Sequence, residues 1–209
     1  MSVVDVPTVF IIDDDASVRE SIHDLVESVS LHAESFATAQ GFLSGERRDG
    51  PTCLVLDGRL PDTSGLDLQQ ELSRAGVRIP IIFITGHADI PMAVKAMKSG
   101  AVEFLTKPFR AQDLLDVIHR ALRRDRGVRE KQKQLSELQK RYSSLSAREC
   151  DVIRLVASGL LNKQIAAELG SSETTVKIQR GRVMQKMQAK SLPDLVRMAD
   201  RLRISTHRG

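Results

Sequence analysis

The sequence predicts an α/β doubly wound, five-stranded parallel sheet, then a helical linker, then an all-α end. Three observations lead there. Apolar, β-branched runs alternate with helix-period patterns five times between residues 8 and 122, which argues for a parallel sheet with helices on both faces. The polar residues that close these runs, Asp13-Asp14, Asp57, Thr85 and Lys107, would meet at one sheet edge. Charge then changes sign along the chain. Residues 1–124 hold 13 Lys+Arg against 18 Asp+Glu, net −5, whereas residues 125–209 hold 18 against 9, net +9. An acidic first part and a basic second part predict two domains, the second facing an anionic partner.

Thr8-Val9-Phe10-Ile11-Ile12 is a continuous apolar run, as a central parallel strand requires, and Asp13-Asp14-Asp15 ends it. Residues 17–29 place Val18, Ile22, Leu25, Val26 and Val29 at helical spacing. No glycine-rich turn separates the two, which argues against a dinucleotide or P-loop site. A strand over 31–36 and a helix over 38–43, weakened by Gly41, come next. Residues 52–56 form the buried strand that delivers Asp57, and a turn with Pro61 and Gly65 precedes a helix over 66–72. Strands over 80–85 and 101–106 and helices over 90–97 and 111–122 complete the repeat. Right-handed crossovers make the sheet doubly wound.

Residues 125–143 are dense in Arg and Lys and read as a helical linker between a first domain, 1–124, and a last one, 144–209. A heptad register runs through Leu114, Val117, Ala121, Arg124, Val128, Lys131, Leu135, Leu138, Tyr142 and Leu145. Two of these positions are charged, so a plain spacer and a spacer that pairs with a second copy both fit. In the last domain Ser146 and Glu149 form a capping box for a helix over 146–158, closed by Gly159. Asn162 is expected to cap a helix over 162–169. Gly170 turns the chain and Ser172 caps a third helix from 173 to about 187; a fourth covers 192–202. Two short helices joined by a Gly turn, the second rich in Lys and Arg, are the sequence form of a helix-turn-helix.

Composition narrows the function. Aromatics are 3% of the chain, with no Trp and one Tyr, which disfavours a stacking platform for single strands. Cys53 and Cys150 lie far apart in apolar patterns, without metal or disulfide spacing, and suit a reducing compartment. The start, Met1-Ser2-Val3-Val4-Asp5, has no leader pattern, and no apolar run is long enough to span a membrane. A cytoplasmic protein is expected.

Gathered at one edge, Asp13, Asp14 and Asp57 repel one another and call for a divalent cation. Oxygen-only ligands favour Mg²⁺, which accepts one or two carboxylates plus a phosphoryl oxygen. Lys107 adds a positive charge and Thr85 a hydroxyl donor. That set suits Asp57 as a nucleophile toward a phosphoryl group, with Mg²⁺, Lys107 and Thr85 stabilising charge on the equatorial oxygens.

These residues resemble the receiver domain of two-component signalling. The carriers are Asp13-Asp14, Asp57 in Asp-x-x-Leu-Pro-x-x-Ser-Gly, Thr85, and Lys107-Pro108-Phe109. The resemblance implies a flavodoxin-like strand order and a cis Lys107–Pro108 bond. It implies that Asp57 takes phosphate from a sensor histidine kinase that docks near the helix carrying Ile22. It also implies that Asp14, Asp57 and the backbone carbonyl of Arg59 bind Mg²⁺, with Asp13 acting through water. Asp15 has no ligand role in this reading and starts the helix. Phosphorylation would draw in the Thr85 hydroxyl, Phe104 would move into the vacated space, and the face made by the 90–97 helix, the fifth strand and the 111–122 helix would pair with a second copy. Phe104 equally fits plain strand core.

The basic end, from about Leu145, is similar to the LuxR-type DNA-binding domain of NarL/FixJ regulators. Leu145-Ser-Ala-Arg-Glu149, Gly159-Leu-Leu-Asn-Lys-Gln-Ile-Ala166, Glu173-Thr-Thr-Val-Lys177 and Val183-Met-Gln-Lys-Met187 carry the likeness. With the run over 83–94, the chain looks most like the FixJ subgroup. Candidate DNA contacts are Ser172, Thr174, Thr175, Lys177, Ile178, Arg180, Gly181 and Arg182. Gln179 stands where the family often has His, and either meets adenine or faces the helix pair. Leu195, Val196, Ala199 and Leu202 fit either a dimer contact or core.

The expectation is a phosphorylation-activated regulator of transcription whose partners are a sensor histidine kinase, double-stranded DNA, a second copy of itself and RNA polymerase. An aspartyl phosphatase would want a second acid two residues after Asp57, where Arg59 stands; an enzyme is not expected. DNA binding independent of phosphate is the alternative.

Overall fold

Strict alternation along the strands sets the architecture. Val9, Ile11, Cys53, Val55, Ile82 and Ile84 point to one face of a sheet, and Phe10, Ile12, Leu54, Leu56, Ile81 and Phe83 to the other. Both faces are buried at these three central strands, which read as apolar runs. The structure is a computed structural model that describes residues 6–45, 50–86 and 90–204. Residues 1–5, read above for a leader, and residues 87–89 of the 83–94 run lie outside the described residues.

The strands β1 (Thr8–Ile12), β2 (His32–Phe36), β3 (Thr52–Asp57), β4 (Ile81–Thr85) and β5 (Glu103–Thr106) pair in parallel in the order β2-β1-β3-β4-β5. The helices are α1 (Ala16–Ser28), α2 (Ala39–Ser44), α3 (Gly65–Arg74), α4 (Ile90–Lys98) and α5 (Ala111–Ser143). Ile22 and Val26 of α1, with Leu114, Val117, Ile118 and Ala121 of α5, cover the first face. Ala39 and Phe42 of α2, Leu68 and Leu72 of α3, and Ala96 of α4 cover the second. The doubly wound class expected above is the one observed. Asp15 caps α1, accepting from the amides of Ser17 and Val18.

The chain forms two units, Met1–Arg129 and Glu130–Gly209. Helix α5 runs on past residue 122, where the apolar periodicity fades, to Ser143. In the first unit, buried Asp125 accepts from Thr52 N (2.8 Å) and Arg129 Nε (2.6 Å), fastening α5 to the start of β3. In the second, Leu138 enters the apolar core. The stretch expected as a linker thus has structural contacts of its own in each unit.

The second unit adds α6 (Ala147–Ala157), α7 (Asn162–Glu168), α8 (Glu173–Met187) and α9 (Leu192–Arg201). The Ser146–Glu149 capping box forms as expected. Asn162 does not cap α7: Leu161 occupies that slot, its amide satisfied by Gln164 Oε1 at 2.8 Å. The Asn162 side chain instead accepts from Arg180, 18 residues on, a contact that no local pattern reveals. Leu195 and Ala199 of α9 are core residues of this unit. Helix α8 carries Gly181 in its interior, where glycine costs about 0.5–1 kcal/mol relative to alanine. Among the described residues no helix is long and apolar enough to cross a membrane.

Candidate functional site: an acidic pocket and an exposed helix

The carboxyl ends of four strands build the pocket. Register brings Ile12 beside Leu56, Asp57 beside Ile84, and Thr85 beside Thr106. The residues that follow β1 and β5, Asp13-Asp14 and Lys107, are therefore delivered next to Asp57. Two backbone bonds continue the ladder beyond the strands: Gly58 N to Ile84 O at 2.9 Å, and Lys107 N to Thr85 O at 2.7 Å. The Lys107–Pro108 bond is cis.

Lys107 Nζ lies 2.6 Å from Asp13 Oδ2 and 2.6 Å from Asp57 Oδ2. The other Asp57 oxygen accepts from Arg59 N at 2.9 Å. Asp13 is fully buried, Asp57 nearly so and Asp14 exposed, and ligand oxygens of the three lie within 4.8 Å of one another. Burial pushes the Asp13 carboxyl up, against the Lys107 hydrogen bond and charge. Burial opposes the Lys107 charge as well, but the bonds to Asp13 and Asp57 prevail and hold its ammonium above the usual lysine value. The donor set, three carboxylates open to solvent through Asp14, fits a hard divalent cation such as Mg²⁺. Thr85 is buried at the same edge.

Beyond Asp57 the chain doubles back. Leu60 N bonds Thr63 O (3.2 Å), Gly65 N bonds Gly58 O (3.1 Å), and Ser64 caps α3 by accepting from Asp67 N at 3.1 Å. A Cβ on Gly65 would stand 2.5 Å from Asp57 O and 2.9 Å from Phe83 Cε1. Phe104 is half-buried and stacks on Phe83, with ring centroids 6.3 Å apart and an interplanar angle of 26°.

In the second unit, α7, the turn at Gly170 (φ 57°) and α8 form the helix pair. Val176, Val183 and Met187 are buried on one side of α8. Ser172, Thr174, Thr175, Lys177, Ile178, Gly181 and Arg182 are exposed, Ile178 at 54%. Ser172 Oγ accepts from Thr175 N at 3.1 Å and pairs with Thr175 Oγ1 at 2.8 Å, so both hydroxyls already serve the cap. Arg180 is half-buried and donates through Nη1 to the Asn162 side chain. Gln179 is also half-buried, and its Oε1 is enclosed by the protein.

The response regulator receiver domain matches residues 9–119, and the luxR family of bacterial regulatory proteins matches residues 143–199. Nodulation protein W of Bradyrhizobium diazoefficiens is 54% identical over 199 residues, covering 95% of this chain and 88% of that protein. The structure of the response regulator StyR superposes with a TM-score of 0.85 at 47% identity, covering 93% of this chain and 98% of that one. Full-length FixJ from B. japonicum is 38% identical, with a TM-score of 0.57 over 95% of this chain and 98% of its own. The chain is a response regulator of the NarL/FixJ family. It is a two-component transcriptional regulator with a receiver domain and a LuxR-type DNA-binding domain.

Two residues of this response regulator's pocket escaped the sequence reading. Arg19 Nη1, one turn into α1, donates to Asp13 O at 2.7 Å and fixes the backbone of the acidic pair. In sequence it is one more helix-surface arginine. Met92, at the start of α4, places its methyl so close to Gly58 that a Cβ there would overlap it. The bare glycine after Asp57 was the available signal for that approach.

Proposed function

We propose that Asp57 accepts a phosphoryl group from a phosphohistidine of a sensor kinase, and that the modified chain dimerises and binds specific double-stranded DNA to regulate transcription. The observation that carries this reading is the Lys107 ammonium bridging Asp57 and the buried Asp13 beside Asp14. A carboxylate oxygen of Asp57 attacks phosphorus, the P–N bond breaks, and the imidazole leaves with the electron pair. Lys107 and Thr85 stabilise charge on the transferred oxygens. Asp14, Asp57 and the Arg59 carbonyl, with Asp13 acting through water, would hold Mg²⁺, which neutralises the phosphoryl group when bound.

The first unit is the phosphoacceptor and the second the DNA reader. Net charge of +9 over residues 125–209 and the exposed Lys177, Ile178 and Arg182 support the second role. Half-burial of Phe104 on Phe83 supports a two-state ring that follows Thr85 inward. Exposed Ile90, Val94 and Met97 on α4 support pairing with a second copy. RNA polymerase is the further partner at the promoter, and the reading places the regulator in the cytoplasm, acting as a switch without turnover.

The test is DNA affinity at one fixed salt concentration, with and without a small phosphodonor. Tighter binding with the phosphodonor, absent in Asp57→Asn, supports the reading. Equal affinity in both conditions means that DNA binding is independent of phosphate.

A further inference from the structure

Gly181 stands in the interior of α8, where glycine is the least favourable residue after proline. A fold requires glycine where φ is positive or where a neighbour leaves no room for a Cβ. Neither holds here. The backbone of Gly181 is helical, and a Cβ would meet nothing within 4 Å. Gly65 shows the opposite case in the same chain, where Asp57 O and Phe83 exclude a side chain. The free fold does not require glycine at 181, nor at Gly127 in α5, where a Cβ would also meet nothing; what sets Gly181 apart is the face it lies on.

Its surroundings point outward. Thr174, Lys177 and Ile178 lie seven, four and three residues earlier, on the same exposed face. Ile178 is 54% exposed, an apolar side chain next to bare backbone on the exposed face of α8, whose other members Thr174, Lys177 and Arg182 are polar. That pairing matches a thymine C5-methyl in a major groove, which takes apolar contact rather than a hydrogen bond.

We propose that Gly181 is a specificity-determining residue: the missing side chain lets the α8 backbone close on a thymine methyl, which Ile178 flanks. The inference rests on the DNA-binding reading above. It adds that this chain gives up helix stability at one position for closer approach to one base.

The test starts from DNA sites selected from a random pool by the full-length phosphorylated protein. Gly181→Ala should raise the melting temperature of the second unit by about 2–8 °C, the alanine gain expected for a domain of this size. The same variant should bind the selected site at least tenfold more weakly at fixed salt, while its affinity for unrelated DNA stays within twofold. Replacing the contacted thymine by uracil, which removes only the methyl, should weaken the wild type and leave Gly181→Ala nearly unaffected. Wild-type affinity of Gly181→Ala for the selected site would overturn the proposal, as would equal thymine-to-uracil losses in both proteins. If the wild type selects no site and Lys177→Ala changes no DNA affinity, the DNA-binding reading itself fails, and the role of Gly181 falls with it.

Discussion

Lys107 Nζ bridges Asp13 and Asp57, 2.6 Å from one oxygen of each, across the ends of β1 and β3. One ammonium thus holds together a fully buried carboxylate and the proposed phosphoacceptor. A bridge of this kind ties the geometry of the acid cluster to the charge that later meets the phosphoryl group.

Removing that ammonium should separate binding from chemistry. Lys107→Ala should still bind Mg²⁺ through Asp14, Asp57 and the Arg59 carbonyl, with Asp13 acting through water. Phosphoryl uptake from a small phosphodonor should slow on the order of 10²–10³-fold, the usual loss for one preorganised donor at the reacting oxygens. Stopped-flow or gel-based uptake kinetics measure this; an unchanged rate would remove Lys107 from the reaction.

Mg²⁺ should stabilise the first unit. A ligand at tenfold its Kd adds about 1.4 kcal/mol to the stability of the folded state. Thermal melts with Mg²⁺ and after chelation should differ accordingly. Asp14→Asn should abolish the difference, because Asp14 is the exposed member of the cluster. A Mg²⁺ shift that persists in Asp14→Asn would place the ion elsewhere.

Gly65→Ala should damage the pocket without touching an ionisable group. The new Cβ would press on Asp57 O and the Phe83 ring. Overpacking of this kind costs about 1–3 kcal/mol. Urea unfolding should show that loss, and phosphoryl uptake should slow as Asp57 shifts. A variant as stable as the wild type would mean that β3 and α3 part easily.

The second unit should lose a specific contribution in acid. Glu149 is buried and held below the usual carboxylate range, chiefly by the Lys186 ammonium at 2.7 Å and then by the Ser146 amide at 2.8 Å. A lowered folded value means that the stabilisation is full above the unfolded value of about 4.3 and is lost as pH falls through the folded value. Glu149→Gln should therefore be less stable than wild type at pH 7, by about 0.5–1.5 kcal/mol, because it loses the charge-assisted bond to the solvent-exposed Lys186 ammonium. The gap should persist below the unfolded value and close as pH falls through the lowered folded value. A gap that stays constant with pH would show that the Glu149 charge is irrelevant.

Much of this was legible in the sequence, for local reasons. Both faces of the sheet are covered at its centre, so β1, β3 and β4 are buried along their whole length and read as apolar runs, and the run that ends at Asp57 identified itself. Asp13, Asp14, Asp57, Thr85 and Lys107 could be placed together because parallel strands put their carboxyl ends on one edge. What stayed hidden depends on partners distant in sequence. The helical stretch expected over 125–143 is there, continuous with the helix before it; the contacts that hold it, Asp125 with Thr52 and Leu138 in the second core, were not visible. Asn162 looked like a cap and is an acceptor for Arg180. Gly65 looked like a turn residue, but it starts α3 under the Phe83 ring, so crowding rather than backbone angle demands it.

The central claim is that Asp57 is the acceptor. The most direct measurement is phosphate incorporation from a small phosphodonor with Mg²⁺, followed by acid- and base-lability of the adduct in wild type and in Asp57→Asn. The account predicts one labile acyl phosphate per chain in the wild type and none in the variant. Undiminished incorporation in Asp57→Asn would contradict it.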